Sequence, residues 1–170
     1  INAGAITKGS APFTINAGTA TKLAFTVQPG ASTVAGQTIP GVTGPSVIVR
    51  AQDALGNTNT NPGFSGNVTV AITAGTGTAG ALLSGGPTVT VQAQNGVATF
   101  PALNIDKAGN NYSLTATATG LTGVASAAFN IVAGTASQLV FTAQPTTTVS
   151  AVNINSPTGV VVTAQDVLGN

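Results

Sequence analysis

Hydrophobic and polar residues alternate along many short stretches of the chain, and clusters of Gly, Asn and Pro separate these stretches. Alternation with a period of two places every second side chain on one face of a β-strand. No stretch has a convincing helical pattern. The predicted strands in the middle of the chain are 21–28, 46–53, 67–73, 88–94, 97–105, 112–118 and 125–132. The pattern therefore indicates an all-β fold.

The same alternation predicts which side chains face the interior. In each strand the apolar residues of the alternating set share one face, and we expect that face to be buried. These residues are Leu23, Phe25, Val27, Val47, Val49, Ala51, Val68, Val70, Ile72, Tyr112, Leu114, Ala116, Ala127, Phe129 and Ile131. Phe25, Phe100 and Phe129 are expected to anchor a core that is otherwise aliphatic.

Turn-forming residues separate the predicted strands at regular intervals. Asp53–Asn57 forms a turn that closes the strand before it, and 57–63 and 74–80 are loops. Asn95-Gly96 is the strongest short signal for a β-hairpin, so we expect the strands on either side of it to pair. Turns that recur about every 8 to 12 residues are typical of β-sandwiches.

The chain also contains an internal repeat. Residues 13–29 (FTINAGTATKLAFTVQP) match residues 129–145 (FNIVAGTASQLVFTAQP) at 11 of 17 positions, with an offset of 116 residues. Residues 47–57 (VIVRAQDALGN) match residues 160–170 (VVVTAQDVLGN) at 8 of 11 positions, with an offset of 113. This period suits one sandwich domain of about 100 residues and is too long for small solenoid repeats.

The two matches predict how the chain is organised. Residues 1–18 would be the end of one immunoglobulin-like repeat, 19–134 a complete repeat, and 135–170 the start of the next. The predicted fold is therefore all-β, with immunoglobulin-like Greek-key β-sandwich repeats in tandem. Both ends of the chain then lie inside repeats, so it is either an excerpt from an array or a subunit that its neighbours complete.

Four motifs carry a resemblance to a known family. They are AQDALGN (51–57), SGNVTVAI (65–72), NGVATFPALNI (95–105) and AGNNYSLTATATGLTG (108–123). Together they resemble bacterial immunoglobulin-like repeats of the invasin and intimin type and the related repeats of very large surface adhesins. The resemblance implies rods of tandem domains on a cell surface. It also implies that Tyr112 occupies a tyrosine-corner position, where the hydroxyl binds nearby backbone.

Composition excludes several classes of function. Charged residues make up 4% of the chain and the net charge is +1, so there is no basic surface for nucleic acid. Without His or Cys there is no Ser-His-Asp or Cys-His arrangement and no zinc site of those residues. No apolar stretch approaches the roughly 18 residues that a membrane-spanning helix needs. We therefore expect a protein that is not an enzyme.

Calcium is the one cofactor for which the sequence offers candidate ligands. Asp53 and Asn57, with their repeat equivalents Asp166 and Asn170, could supply oxygen atoms near a domain junction. Calcium takes six to eight oxygen ligands, commonly with several carboxylates, and each turn has one Asp. The alternative, which we favour, is that each Asp caps its own turn through hydrogen bonds to the backbone.

Two further surface features are candidates for modification or contact. Asn67 and Asn111 each begin an Asn-X-Ser/Thr pattern, which is a glycosylation acceptor in secreted proteins. The alternative is that both are unmodified strand and turn residues. Phe64, in an Asn-rich loop, is the one candidate contact residue for a ligand, and the alternative is that its ring folds back onto the sandwich edge.

The interpretation that fits best is a structural tandem-repeat module of an extracellular fibre, stalk or adhesin at the cell surface. It would act as a rigid spacer, with neighbouring repeats or identical chains as partners, head-to-tail or side by side. One alternative is an adhesive or carbohydrate-binding module, which would need a cluster of exposed aromatic residues. Another is a fibre subunit that polymerises by strand complementation. The cell-surface location follows from the class of protein, not from any export signal.

Overall fold

A computed structural model describes residues 9–60, 62–154 and 159–170 of the chain. These residues form β-strands joined by turns and loops and contain no helix, which confirms the predicted all-β class. The strands are β1 (Lys22–Val27), β2 (Ser32–Val34), β3 (Val47–Gln52), β4 (Asn67–Ile72), β5 (Thr88–Gln92), β6 (Val97–Phe100), β7 (Gly109–Tyr112), β8 (Leu114–Ala118), β9 (Leu121–Ala125), β10 (Phe129–Val132), β11 (Gln138–Ala143) and β12 (Val161–Gln165).

The first ten strands form two sheets around a common interior. The larger sheet has the order β5-β4-β8-β9-β1-β3-β6, and a single parallel pair, Lys22 with Thr122, joins β1 to β9. Because β1 and β9 pair at this one position only, the sheet consists of two parts, β1-β3-β6 and β5-β4-β8-β9. The smaller sheet has the order β2-β10-β7, with β2 parallel to β10. Both parts and the smaller sheet contribute side chains to one core, so the fold is a β-sandwich.

The core follows the alternation of the sequence in most strands. On β3, for example, Val47, Val49 and Ala51 are buried, and the residues between them are half-buried. Phe100 and Phe129 lie in the core with 1% and 2% of their surface exposed. The fully buried set also includes residues that lie outside regular strands. These are Ile39, Leu83, Leu103 and Ile105.

The Asn95-Gly96 turn forms, but the predicted hairpin does not. Gln94 and Val97 exchange backbone hydrogen bonds of 2.8 and 3.0 Å across the turn. Beyond it β5 pairs with β4, and β6 pairs with β3, at opposite edges of the larger sheet. Gly96 donates to the Phe64 carbonyl (2.8 Å), so Phe64 holds the turn, which carries the chain between the two parts.

Other differences from the prediction occur where strands end or change sheet. The predicted strand 97–105 ends at Phe100, and the predicted strand 112–118 is replaced by β7, which begins earlier at Gly109, and by β8. Strands β2 and β9 were not predicted, because they are short or carry few buried side chains. Ala127 is exposed and not inward-facing, since residues 126–128 connect β9 in the larger sheet to β10 in the smaller one.

Strands β11 and β12 reproduce the pairing of β1 with β3. Leu139 pairs with Ala164 as Leu23 pairs with Ala51, and a register shift follows Phe141 in the same way as it follows Phe25. The burial of the two pairs differs, because no second layer covers β11 and β12 within the described residues. Leu139 is 75% exposed, whereas Leu23 is 3% exposed.

Candidate functional site

The turn after β3 is organised by the carboxylate of Asp53. The Asp53 N–H donates to the Asn57 carbonyl (3.0 Å), which closes the turn. The carboxylate oxygen Oδ1 accepts hydrogen bonds from the backbone N–H groups of Leu55 (3.0 Å) and Asn57 (2.9 Å). The carboxylate therefore caps its own turn, as one of the two sequence-based interpretations expects.

The second oxygen of the same carboxylate binds the segment that enters the sandwich. Asp53 Oδ2 accepts from the Gly18 N–H (2.9 Å) and from Asn57 Nδ2 (3.1 Å). The Gly18 carbonyl in turn accepts from Asn59 Nδ2 (2.8 Å), and Asn59 is 8% exposed. Both sides of the Gly18 residue are thus hydrogen-bonded to the sandwich, although residues 9–20 form no strand.

The turn after β12 repeats this arrangement around Asp166. The Asp166 Oδ1 atom accepts from the N–H groups of Leu168 and Asn170, both at 2.9 Å. Asp166 Oδ2 accepts from the Gly134 N–H (2.7 Å) and from Asn170 Nδ2 (3.1 Å). Each donor is the repeat equivalent of a donor to Asp53. The two turns therefore form the same structure at two places in the chain.

Hydrogen bonds to both carboxylates favour their ionised forms. The pKa of Asp53 is lowered from 3.8 to about 2, although burial opposes the shift. The largest cause is the hydrogen bond from the Asn57 side chain, followed by those from the backbone N–H groups of Gly18 and Asn57. The Asn170 N–H, then the Gly134 N–H, lowers the pKa of Asp166 from 3.8 to about 2. Folding is therefore linked to the deprotonated state of each carboxyl.

Acid will weaken the fold in a defined pH window. Because the pKa of folded Asp53 lies below its unfolded value of 3.8, its contribution is present above that pH and is lost as pH falls toward about 2. We expect a flat urea-unfolding midpoint across neutral pH, since the chain has no His, and a decline below about pH 4. In an Asp53→Asn variant the decline should be shallower; an equally steep decline would contradict this role.

The hydrogen bonds of the Asp turns bear on calcium binding. In both turns the carboxylate oxygens already accept N–H groups, and the side-chain nitrogen of the Asn faces the carboxylate. Among the described residues, no group of three or more His, Cys, Asp or Glu side chains lies together. The geometry accounts for Asp53, Asn57, Asp166 and Asn170 through hydrogen bonds. Calcium binding by these four residues stays the less favoured of the two sequence-based alternatives.

Tyr112 ties the end of β7 to the preceding loop. Its hydroxyl donates to the Lys107 carbonyl at 2.8 Å, and its ring is completely buried. The ring stacks on Phe129 with 6.0 Å between centroids and an angle of 29° between planes. A hydroxyl bound to backbone five residues upstream is the contact that defines a tyrosine corner.

The remaining candidate residues are spread over the surface. Asn67 starts β4 and Asn111 lies in β7, and both are exposed; glycosylation of either stays a prediction. The Phe64 ring is half-buried and packs against the core, so it folds back onto the sandwich. It also lines an open cleft of about 440 Å³ beside Gly18 and Asn59. These features do not converge on one site.

The sequence analysis missed two glycines, one before β1 and one before β11. Gly18 and Gly134 donate to the Asp carboxylates, yet they were not singled out. A signal was available, because AGTA is identical at 17–20 and 133–136. Asn59 was also missed, since it lies in a polar loop where one buried Asn cannot be distinguished from its exposed neighbours.

No protein-family model matches the chain, and no curated protein matches it. None of the described segments forms a helix long and apolar enough to cross a membrane.

Proposed function

We propose that the chain consists of immunoglobulin-like Greek-key repeats in tandem and serves as a structural module of an extracellular fibre, stalk or adhesin. It acts as a rigid spacer and carries out no catalysis. The observation that carries this proposal is the recurrence of one substructure. The β1–β3 pair and the Asp53 turn return as the β11–β12 pair and the Asp166 turn, with the same register, bulge and hydrogen bonds.

The repeat boundaries of the proposal are 1–18, 19–134 and 135–170. The core of the sandwich draws its side chains from Leu23 to Ile131, which supports one complete repeat between residues 19 and 134. The chain also passes directly from β10 through Gly134 into β11, and the Asp166 carboxylate binds that connection at 2.7 Å. A short connection of this kind favours a rod over loosely tethered domains.

The resemblance to invasin- and intimin-type repeats supports a location at the cell surface. The low charge is consistent with it, because a surface of hydroxyl and amide groups stays hydrated over a wide range of pH and salt. The absence of His and Cys from the sequence supports the view that the protein is not an enzyme. Neighbouring repeats, or identical chains, would be its partners.

Strand complementation is the second candidate, and one observation favours it. The apolar face of β11 and β12 is open within the described residues, with Leu139 75%, Phe141 50% and Val162 48% exposed. Further residues of the same polypeptide or strands of a second copy could cover this face. An adhesive or carbohydrate-binding role lacks such support, because Phe64 packs against the core.

The mass of the native polypeptide under denaturing conditions tests the proposal. We expect a mass far above 16.3 kDa, with an excess that corresponds to repeats of 116 residues. A mass of 16.3 kDa for a protein that still assembles into fibres would favour strand complementation instead. A native mass of 16.3 kDa, for a protein that does not assemble into fibres, would contradict both candidates.

Assembly should depend little on salt. The chain has seven charged side chains among 170 residues, so there are few interactions for ions to screen. We expect the sedimentation profile of assembled material to stay unchanged between about 0.05 and 0.5 M NaCl. Dissociation over that range would contradict an assembly held by hydrogen bonds and apolar contacts.

A further inference from the structure

The side chain of Asn170 hydrogen-bonds the C-terminal repeat to the complete one. Its Oδ1 atom accepts from the Ala108 N–H at 2.7 Å, and its Nδ2 atom donates to the Asp106 carbonyl at 3.0 Å. One amide thus binds a backbone donor and a backbone acceptor in the 106–108 loop. This loop lies between the buried Ile105 and β7, so its position is set by the sandwich.

Asp166 determines which way that amide points. An ionised carboxylate can only accept hydrogen bonds, so the NH₂ group of Asn170 must face it. Asn170 Nδ2 lies 3.2 and 3.1 Å from the two carboxylate oxygens of Asp166, and Oδ1 is left to accept from Ala108. Asp166 is 3% exposed, so water competes little for these bonds.

The same carboxylate also holds the connection between the repeats. Gly134, in the connection, donates its N–H to Asp166 Oδ2 at 2.7 Å. Gln138 adds a bond from its side-chain nitrogen to the Asp166 carbonyl at 3.2 Å. Asp166 therefore binds the connection between the repeats and orients the Asn170 amide, which contacts the preceding repeat.

An apolar contact accompanies these hydrogen bonds. Leu168, in the same turn, lies over Gly36: a Cβ atom at that glycine would be 2.9 Å from Leu168 Cδ1. Gly36 has a φ of +75°, a conformation that glycine adopts without strain. Leu168 is 47% exposed, whereas its repeat equivalent Leu55 is 89% exposed. Leu168 is less exposed than Leu55 because it contacts Gly36 of the complete repeat.

We propose that the Asp-X-X-Gly-Asn turn is a metal-free latch between successive repeats. Its Asn amide recognises the backbone of the 106–108 loop of the repeat before it, and its Leu covers the glycine at position 36. The turn at Asp53 has the same internal bonds and exposes Leu55 and Asn57. The partner of the Asp53 turn is the loop of a preceding repeat that is equivalent to residues 106–108. This inference rests on the proposed tandem arrangement.

The two Asn residues provide a matched pair of variants. Asn57→Ala and Asn170→Ala remove the same side-chain bonds to an Asp carboxylate, but only Asn170→Ala removes the bonds to the 106–108 loop. The whole 170-residue chain would carry each variant. Since the chain has no Cys, cysteines introduced at the exposed Thr99 and Ala164 allow specific spin labelling, and the distance distribution between labels reports how rigidly the repeats are joined.

We expect a narrow distance distribution in the parent chain and in Asn57→Ala, and a broad one in Asn170→Ala. Hydrogen exchange of the Ala108 amide should accelerate about tenfold in Asn170→Ala alone, the effect of losing one hydrogen bond from a locally opening site. A second pair, Leu168→Ala against Leu55→Ala, should show the same contrast with a smaller broadening. These pairs separate a lost junction from a damaged turn.

Several results would overturn the latch. They are an unchanged distribution in Asn170→Ala, equal broadening in Asn57→Ala, or a distribution that narrows only when millimolar calcium is added. The last result would assign the junction to calcium. The native mass tests the tandem proposal separately, because a latch within this chain can hold even if the native polypeptide has no further repeats.

Discussion

Replacing Leu23 with alanine will destabilise the 170-residue chain by about 2–5 kcal/mol, the usual cost of truncating a buried leucine. The same substitution at Leu139 will change its stability by less than about 0.5 kcal/mol, as expected for an exposed site. The two residues occupy the same position in matched strands, Leu23 opposite Ala51 and Leu139 opposite Ala164. They differ in burial, at 3% and 75% exposed.

The reason for the contrast lies in the second layer of the sandwich. Leu23 belongs to a core that also contains Leu114 and Phe129 on strands of other parts of the fold. Truncation there removes apolar contacts and leaves a cavity, whose cost adds to the lost transfer energy. At Leu139 the residue and the pairing are the same, but the described residues supply no second layer, so little burial is lost.

Urea unfolding followed by far-UV circular dichroism measures both effects. The Leu139→Ala variant is the matched control, because it makes the same chemical change on an equivalent strand. Equal losses of stability at the two positions would show that something covers the β11 and β12 face in solution. In that case a dependence of the Leu139→Ala effect on protein concentration would identify a second copy as the cover.

Replacing Tyr112 with alanine will destabilise the fold by about 3–5 kcal/mol, the range found for large buried aromatic residues. The Tyr112 ring is fully buried and stacks on Phe129. Two glycines make room for it: a Cβ atom at Gly77 would collide with the ring, and one at Gly109 would lie 3.1 Å from it. A small residue at 112 would leave this space empty.

The more conservative Tyr112→Phe variant isolates the hydroxyl. It should cost about 1–2 kcal/mol, because the ring stays and only the bond to the Lys107 carbonyl is lost. Thermal and urea unfolding of both variants should therefore give a graded series. A Tyr112→Phe variant as stable as the parent would show that the hydroxyl bond contributes nothing and would contradict the tyrosine-corner role.

The Asp turn shows how much of its own conformation a short motif can predict. The repeated Asp-X-X-Gly-Asn pattern predicted a capped turn correctly, since all the capping donors lie within four residues of Asp53. Calcium remained an alternative, because oxygen ligands alone do not reveal which hydrogen bonds they already make. The bond from Gly18 spans 35 residues and was not predictable from local pattern.

The turn at Asn95-Gly96 shows the opposite case. Asn and Gly adopt positive φ values of 47° and 77° there, as the local sequence predicts. The strands that leave this turn nevertheless pair elsewhere, β5 with β4 and β6 with β3. Their partners are distant in the chain, and burial of Ala98 and Phe100 in the core outweighs the local preference.

The sequence by itself determined the all-β class, most of the long strands, the tight turns and the internal repeat. Each of these depends on side chains that are neighbours along the chain, or on direct comparison of two segments. Only the tertiary structure decided which strands pair, that Leu23 is buried while Leu139 is exposed, and that Asn170 contacts Ala108. Those outcomes depend on residues far apart in the chain, because a side chain is buried or bonded only when another part of the fold lies against it.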